Sequence, residues 1–216
     1  MKKELLIKVC GMREKANLEA IRLLRPDYIG LIFYEKSPRF VSEQEEYLTE
    51  SFAPIQKVGV FVNELVEPVC ALVQAFHLDV VQLHGTESAE ECAALKQMGV
   101  KVIKAFGISS ADDFAQCEPY VSVCDMFLFD AKTPTYGGSG TTFDWSILQN
   151  YTYKVPFLLS GGISLENLAN SITLQHDYFV GIDVNSKFEQ APALKDVAKV
   201  QQAIQLIRTI KTSKNE

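Results

Sequence analysis

Eight times along the chain a short apolar run with little alternation is followed by a helical spacing or a loop, about once every 27 residues across the 216. The runs are Leu5–Cys10, Tyr28–Tyr34, Val58–Val62, Asp79–Leu83, Val100–Phe106, Met126–Asp130, Val155–Ser160 and Tyr178–Ile182. A strand that is apolar at successive positions is buried on both faces, which is the mark of a parallel sheet. Parallel strands need right-handed crossovers, and eight strand–helix units close into a (β/α)8 barrel. The connections supply the rest. Met12–Leu24, Leu65–Phe76, Ser164–Ser171 and Val197–Ile210 have helical periodicity, and Ser110–Cys117 and Asp144–Leu148 are short and weak. Ser42–Glu50 reads as a helix capped by Ser42 with Glu45, and Thr86–Met98 as one capped by Thr86. The rival, an open doubly wound sheet, wants GxGxxG after the first strand, where Gly11 stands alone. Residues 1–216 therefore read as a single α/β barrel domain, with no linker or low-complexity tract.

Composition narrows the function classes. With 47% apolar and 22% charged residues, the chain can fill a core and is not a disordered type. Its longest apolar runs, such as Val121–Phe129, are broken by Ser122 and Asp125, far short of the ~20 residues of a membrane span. The opening Met1–Lys8 imitates a basic leader, but Lys8 interrupts its apolar stretch and no small-residue cleavage site follows. Net charge is −6 without a basic stripe, which argues against nucleic acid as partner. The five cysteines, Cys10, Cys70, Cys92, Cys117 and Cys124, are odd in number and form no CxxC, so neither a disulfide framework nor a zinc site is expected. A reducing cytoplasm fits them. The outer helices carry no apolar seam, which leaves monomer and homodimer both open.

Barrel enzymes place their chemistry at the C-terminal ends of the strands. Those ends hold Cys10-Gly11, the segment Glu35–Arg39, Asn63, Gln82-Leu83-His84, Asp130, Ser160-Gly161-Gly162 and Asp183-Val184-Asn185-Ser186. Loops after strands seven and eight commonly bind phosphate, so Gly161-Gly162, the helix opening at Ser164, and Asn185-Ser186 form a candidate phosphate site. Gly-Gly is also simply a tight turn. Cys10 and Asp130 are a candidate base and acid. A thiol of pKa near 8.5 is only about 3% ionised at pH 7, and a carboxyl near 3.9 only about 0.1% protonated. Both need their environments to shift them. Otherwise Cys10 is a small buried hydrophobe and Asp130 a loop cap. Arg39, beside Pro38 on the rim, suits bidentate carboxylate recognition, or is a solvated surface charge, as Lys36 would be. His84 is a possible base or a structural hydrogen-bond donor; His77 and His176 read as surface-loop residues. The glycine-rich loop Ala131–Thr142, with Gly137-Gly138-Ser139-Gly140, lacks the Lys-Ser/Thr ending of a P-loop and suggests a lid.

The motifs Lys8-Val9-Cys10-Gly11, Ser37-Pro38-Arg39, Val81-Gln82-Leu83-His84-Gly85, Phe129-Asp130, Leu159-Ser160-Gly161-Gly162-Ile163 and Gly181-Ile182-Asp183-Val184, in this order, resemble the phosphoribosylanthranilate isomerase family. The resemblance covers nearly the whole chain. It implies an Amadori rearrangement in tryptophan biosynthesis on a small phosphorylated substrate, with no cofactor and no metal. It also implies Cys10 as general base and Asp130 as general acid. Arg39 would sit on the anthranilate carboxylate, Gln82 at the substrate, and Gly161, Gly162, Asp183, Asn185 and Ser186 around the phosphate. The chain departs from the family pattern at Lys187, where glycine is usual, and before Lys195-Asp196, where a glycine is missing. Two alternatives stand beside this reading. One is another phosphosugar isomerase or synthase. The histidine-pathway isomerase resembles a carboxylate pair on strands one and five, where this chain has Cys10 and Phe106-Gly107. The other is a phosphate-binding barrel without catalysis.

Overall fold

A computed structural model describes residues 4–42, 45–132 and 142–209. Eight parallel strands close into a barrel in chain order: β1 Leu6–Cys10, β2 Tyr28–Ile32, β3 Gln56–Phe61, β4 Val80–Leu83, β5 Lys101–Ile108, β6 Met126–Ala131, β7 Phe157–Leu159 and β8 Phe179–Val184. The last strand pairs with the first, Lys8 opposite Asp183. The unalternated apolar runs have a direct cause. Ile7 and Val9 of β1 point outward into the layer beneath the helices, while Cys10 joins Val58, Val80, Ile103, Leu128 and Leu158 in the barrel interior. Both faces of each strand are therefore buried.

The helices are α1 Lys15–Leu23, α2 Val66–Phe76, α3 Ala89–Gln97, α4 Leu165–Ile172 and α5 Val197–Thr209, with 3₁₀ segments at Glu46–Thr49, Ala111–Tyr120, Trp145–Asn150 and Ser186–Phe188. A two-stranded hairpin, β9 Glu189–Ala191 and β10 Leu194–Lys195, follows β8. Two sequence expectations need correction, and a third is met only in part. Ser42–Glu50 is not a helix: the Ser42 N–H does bond Glu45 Oε2 (2.6 Å), but only Glu46–Thr49 forms a turn. The carbonyls of Leu48 and Glu50 are taken instead by the buried Lys57 ammonium (3.0 and 2.9 Å), which leaves them unavailable to a lengthening helix. The cap of α3 is Ser88, not Thr86: Ser88 and Glu91 form the reciprocal capping box, while the Thr86 N–H and hydroxyl both go to Asn63 Oδ1 (2.6 and 3.0 Å). His176 does lie in a loop but is only partly at the surface: its ring packs on Tyr151 and Phe157 and its Nε2 lies 2.9 Å from the Tyr151 carbonyl. The expected lid loop falls largely at residues 133–141, outside those described.

Candidate active site

A cleft at the C-terminal end of the barrel encloses about 890 Å³ with its open mouth included. The structure brings all nine residues singled out in the sequence to its wall: Cys10, Arg39, Gln82, Asp130, Gly161, Gly162, Asp183, Asn185 and Ser186. His84, Ser160 and Tyr34 also line it, whereas Lys187 does not line it and is exposed.

Asp130 ends β6. Its Oδ1 accepts the Ala131 N–H at 2.8 Å. Burial, its largest influence, pushes the carboxyl up to about 6, against that hydrogen bond and with help from the nearby Asp183 charge. Gly161 gives it room: a Cβ there would lie 2.7 Å from Asp130 Oδ1 and 2.6 Å from the Ala131 nitrogen, and the residue sits at φ +83°. Thus one of the two glycines read as a phosphate loop also makes space for the acid. At a pKa near 6, about one carboxyl in ten is protonated at pH 7, against about one in a thousand for an ordinary aspartate.

Cys10 ends β1 and is 4% exposed. Burial pushes its thiol up, not down as the sequence argument required. Lys8, two residues back on the same interior face of β1, works against that rise with its ammonium, while the Asp183 carboxylate adds to it. Lys8 is wholly buried and bonded to Asp183 Oδ1 at 3.0 Å; Ser160 Oγ lies 3.5 Å from Asp183 Oδ2. Asp183 is therefore tied into the barrel interior. Lys8 was missed in the sequence; its signal was a charged residue inside an apolar strand, two positions from the candidate base.

His84 is neutral near pH 7, because burial and the ammonium groups of Lys8 and Lys104 lower its pKa to about 4. Its Nδ1 lies 3.1 Å from Gln82 Nε2, which makes Nδ1 the acceptor and leaves the proton on Nε2. Nε2 is 3.6 Å from Asp130 Oδ2, too long for a hydrogen bond. Gln82 Oε1 is buried with no hydrogen-bond partner among the described residues. Across the cleft, Arg39 is not a solvated charge: it is 8% exposed and its guanidinium is bonded to Glu189. Asn185 turns its Oδ1 to Lys195 Nζ (2.8 Å), leaving its amide N–H₂ as the remaining donor. Glu189 and Lys195 gave no local signal, since their partners lie far away in the chain or in a hairpin that the sequence did not reveal.

Comparison with known proteins places this geometry. The family model described as N-(5'phosphoribosyl)anthranilate (PRA) isomerase matches residues 7–206. The N-(5'-phosphoribosyl)anthranilate isomerase of Phocaeicola vulgatus is 47% identical, covering 94% of this chain and 98% of its own. Among solved structures, phosphoribosyl anthranilate isomerase in complex with reduced 1-(o-carboxyphenylamino)-1-deoxyribulose 5-phosphate aligns with a TM-score of 0.80 at 28% identity, covering 94% of this chain and 98% of that one. Monomers of the dimeric Thermotoga maritima enzyme align with a TM-score of 0.77 at 30% identity, again over 94% and 98%. With a barrel of this topology and a match over nearly its whole length, the chain belongs to the N-(5'-phosphoribosyl)anthranilate isomerase family.

Proposed function

We propose that Cys10 and Asp130 are the general base and general acid of this isomerase, which converts N-(5'-phosphoribosyl)anthranilate to 1-(2-carboxyphenylamino)-1-deoxyribulose 5-phosphate in tryptophan biosynthesis. The observation that carries the assignment is the placement of a carboxyl with a raised pKa and a thiol beside a buried ammonium on one cleft. Protonated Asp130 gives its proton to the furanose ring oxygen. The C1'–O bond breaks as the anilino nitrogen lone pair forms the C=N bond of an iminium. Cys10 thiolate then takes the proton from C2', and the electron pair of that C–H bond becomes the C1'=C2' bond of an enolamine. Protonation at C1' and loss of the C2' hydroxyl proton give the ketone. The step is redox neutral within one molecule.

The two groups work in reverse protonation. The acid titrates near 6 and the base above the ordinary thiol value, so the reactive form, protonated Asp130 with ionised Cys10, is a minor one. Its population stays constant between the two pKa values. The Lys8 ammonium and the cationic iminium both favour the thiolate when it is needed. Arg39 holds the anthranilate carboxylate. Backbone N–H groups at Gly161-Gly162 and Asn185-Ser186, near the start of α4, hold the phosphate. Gln82 Oε1 accepts from a ribose hydroxyl, and Asp183 serves the sugar through its place beside Lys8 rather than the phosphate. The chain acts as one domain in a reducing cytoplasm. A relative from Thermotoga maritima is described as dimeric, and sedimentation separates monomer from homodimer here.

The test is turnover of phosphoribosylanthranilate, followed by loss of substrate fluorescence. A bell-shaped profile of kcat/KM with its lower limb near pH 6 is expected, and Asp130→Asn removes that limb along with most of the rate. A profile flat through pH 5–7 in the wild-type protein overturns the assignment of Asp130.

A further inference from the structure

Arg39 reaches the cleft in a fixed pose. Its stem lies across the end of β1: a Cβ on Gly11 would come 2.6 Å from Arg39 Cδ, and Gly11 has φ +74°. The Arg39 N–H is held by Ser37 Oγ at 3.1 Å. The guanidinium then meets Glu189, the first residue of β9. Nε donates to Glu189 Oε1 and Oε2 at 2.9 and 3.1 Å, and Nη2 donates to Oε2 at 2.6 Å. The same carboxylate accepts Lys195 Nζ at 2.5 Å and the Ala193 N–H at 3.2 Å. Arg39 is 8% and Lys195 1% exposed. Burial alone would raise the Glu189 carboxyl; hydrogen bonds from Arg39 and the charge of Lys195 outweigh it and hold the group below its ordinary value.

A guanidinium presents two forked edges to carboxylates, Nε with Nη2 and Nη1 with Nη2. Glu189 occupies the first, so a ligand carboxylate has only the second. The charges of Arg39, Lys195 and Glu189 sum to one positive, which a single bound carboxylate neutralises. Without Glu189, two buried cations would face each other and the guanidinium would lose the partner that fixes its plane.

We infer that Glu189 is a positioning residue: it clamps Arg39 by the Nε edge so that the other edge faces the substrate carboxylate, and with Lys195 it sets this end of the cleft to accept one negative group. This rests on the reading that Arg39 binds that carboxylate. The opposite effect, Glu189 competing with the substrate for Arg39, uses the same contacts and predicts the opposite sign.

The probes are reduced 1-(o-carboxyphenylamino)-1-deoxyribulose 5-phosphate and its analogue with hydrogen in place of the carboxyl group, titrated calorimetrically into wild-type protein, Arg39→Ala, Glu189→Gln and Glu189→Asp. In Glu189→Gln the carboxylated ligand is expected to bind about 10- to 100-fold more weakly, and the analogue to change by less than about twofold. KM rises while kcat stays within a few-fold, and adding Glu189→Gln to Arg39→Ala costs nothing more. Should Glu189→Gln fail to fold, Glu189→Asp, which keeps the charge but withdraws it by one methylene, is expected to show the same ligand selectivity. Tighter binding of the carboxylated ligand, equal loss for both ligands, or no loss overturns the clamp. The two readings separate cleanly. If Arg39→Ala itself shows no selective loss, the carboxylate assignment of Arg39 falls. If Arg39→Ala shows it and neither Glu189 variant does, only the clamp falls.

Discussion

Four buried lysines among the described residues divide between two layers, and they are satisfied in different ways. Outside the barrel, Lys57 gives its ammonium to the backbone carbonyls of Leu48, Glu50 and Phe76, and Lys104 donates to the Gly85 carbonyl at 2.8 Å while pairing with Glu87 at 3.2 Å. Around the mouth, Lys8 meets Asp183 and Lys195 meets Glu189. The outer pair ties loops and helix ends together. Lys57 bears the cost in its own titration, since burial lowers its pKa to about 8. The mouth pair bonds to carboxylates that act on cleft residues: the Asp183 charge raises the Cys10 pKa, and Glu189 bonds Arg39. Buried charge in the outer layer chiefly closes the chain, although the Lys104 ammonium also acts on His84; at the mouth it acts on or bonds residues that line the cleft.

The comparison breaks first at the chemistry. Cys10→Ser and Asp130→Asn should each lower kcat by about 10²–10⁴-fold with little change in KM and a retained fold. A near-normal kcat in either variant takes that residue out of the mechanism. Lys57→Met should do the reverse, destabilising by about 2–4 kcal/mol by orphaning the carbonyls that the ammonium binds, while kcat stays intact, as read by denaturant melts beside assays. Loss of kcat in the folded Lys57 variant would erase the distinction between the layers. Arg39→Ala should lower kcat/KM by about 2–4 kcal/mol, mostly through KM.

A smaller effect sharpens the point that the mouth is held away from its stability optimum. The carboxyl of Asp130 has a folded pKa near 6, above its unfolded value, so the folded protein holds that proton more tightly. Stability is undiminished below the unfolded value and declines as pH rises through about 6. Asp130→Asn, whose amide oxygen can still accept the Ala131 N–H, should therefore be more stable than wild type by about 1–2 kcal/mol at pH 7–8, after allowance for partial exposure, and equal to it near pH 4. An identical difference at both pH values would count against the raised pKa. Smallest of all, Lys187→Gly should alter phosphate affinity by less than about twofold, because Lys187 is exposed and away from the cleft wall. A tenfold loss would bring that lysine into the phosphate site.

What could be read in the sequence follows from range. The eight strands were legible because burial on both faces writes itself into contiguous residues such as Tyr28–Ile32. The nine cleft residues were legible because strand ends are local landmarks in a barrel. Ser42–Glu50 misled because its capping pattern is local whereas the competitor for its carbonyls, Lys57, comes from the next strand. Ser88–Glu91 was a local signal passed over in favour of Thr86. The rise in the Cys10 pKa depended on enclosure, which residue type alone does not carry. The Arg39–Glu189 pair spans 150 positions, and nothing near either residue announces the other.

The pairing of β1 with β8 sets the order in which the site is completed. Lys8 and Cys10 lie in the first strand of the barrel, while Asp183, Glu189 and Lys195 lie in or just after the last. During synthesis the thiol and its neighbouring ammonium exist long before Asp183, the carboxylate that bonds that ammonium. The proposed base and its ammonium neighbour thus lie at the barrel seam, while the proposed acid, Asp130, stands on β6. Regain of turnover during refolding should mark seam closure, and labelling of Cys10 by a thiol-reactive probe should slow at that moment, because enclosure raises the thiol pKa.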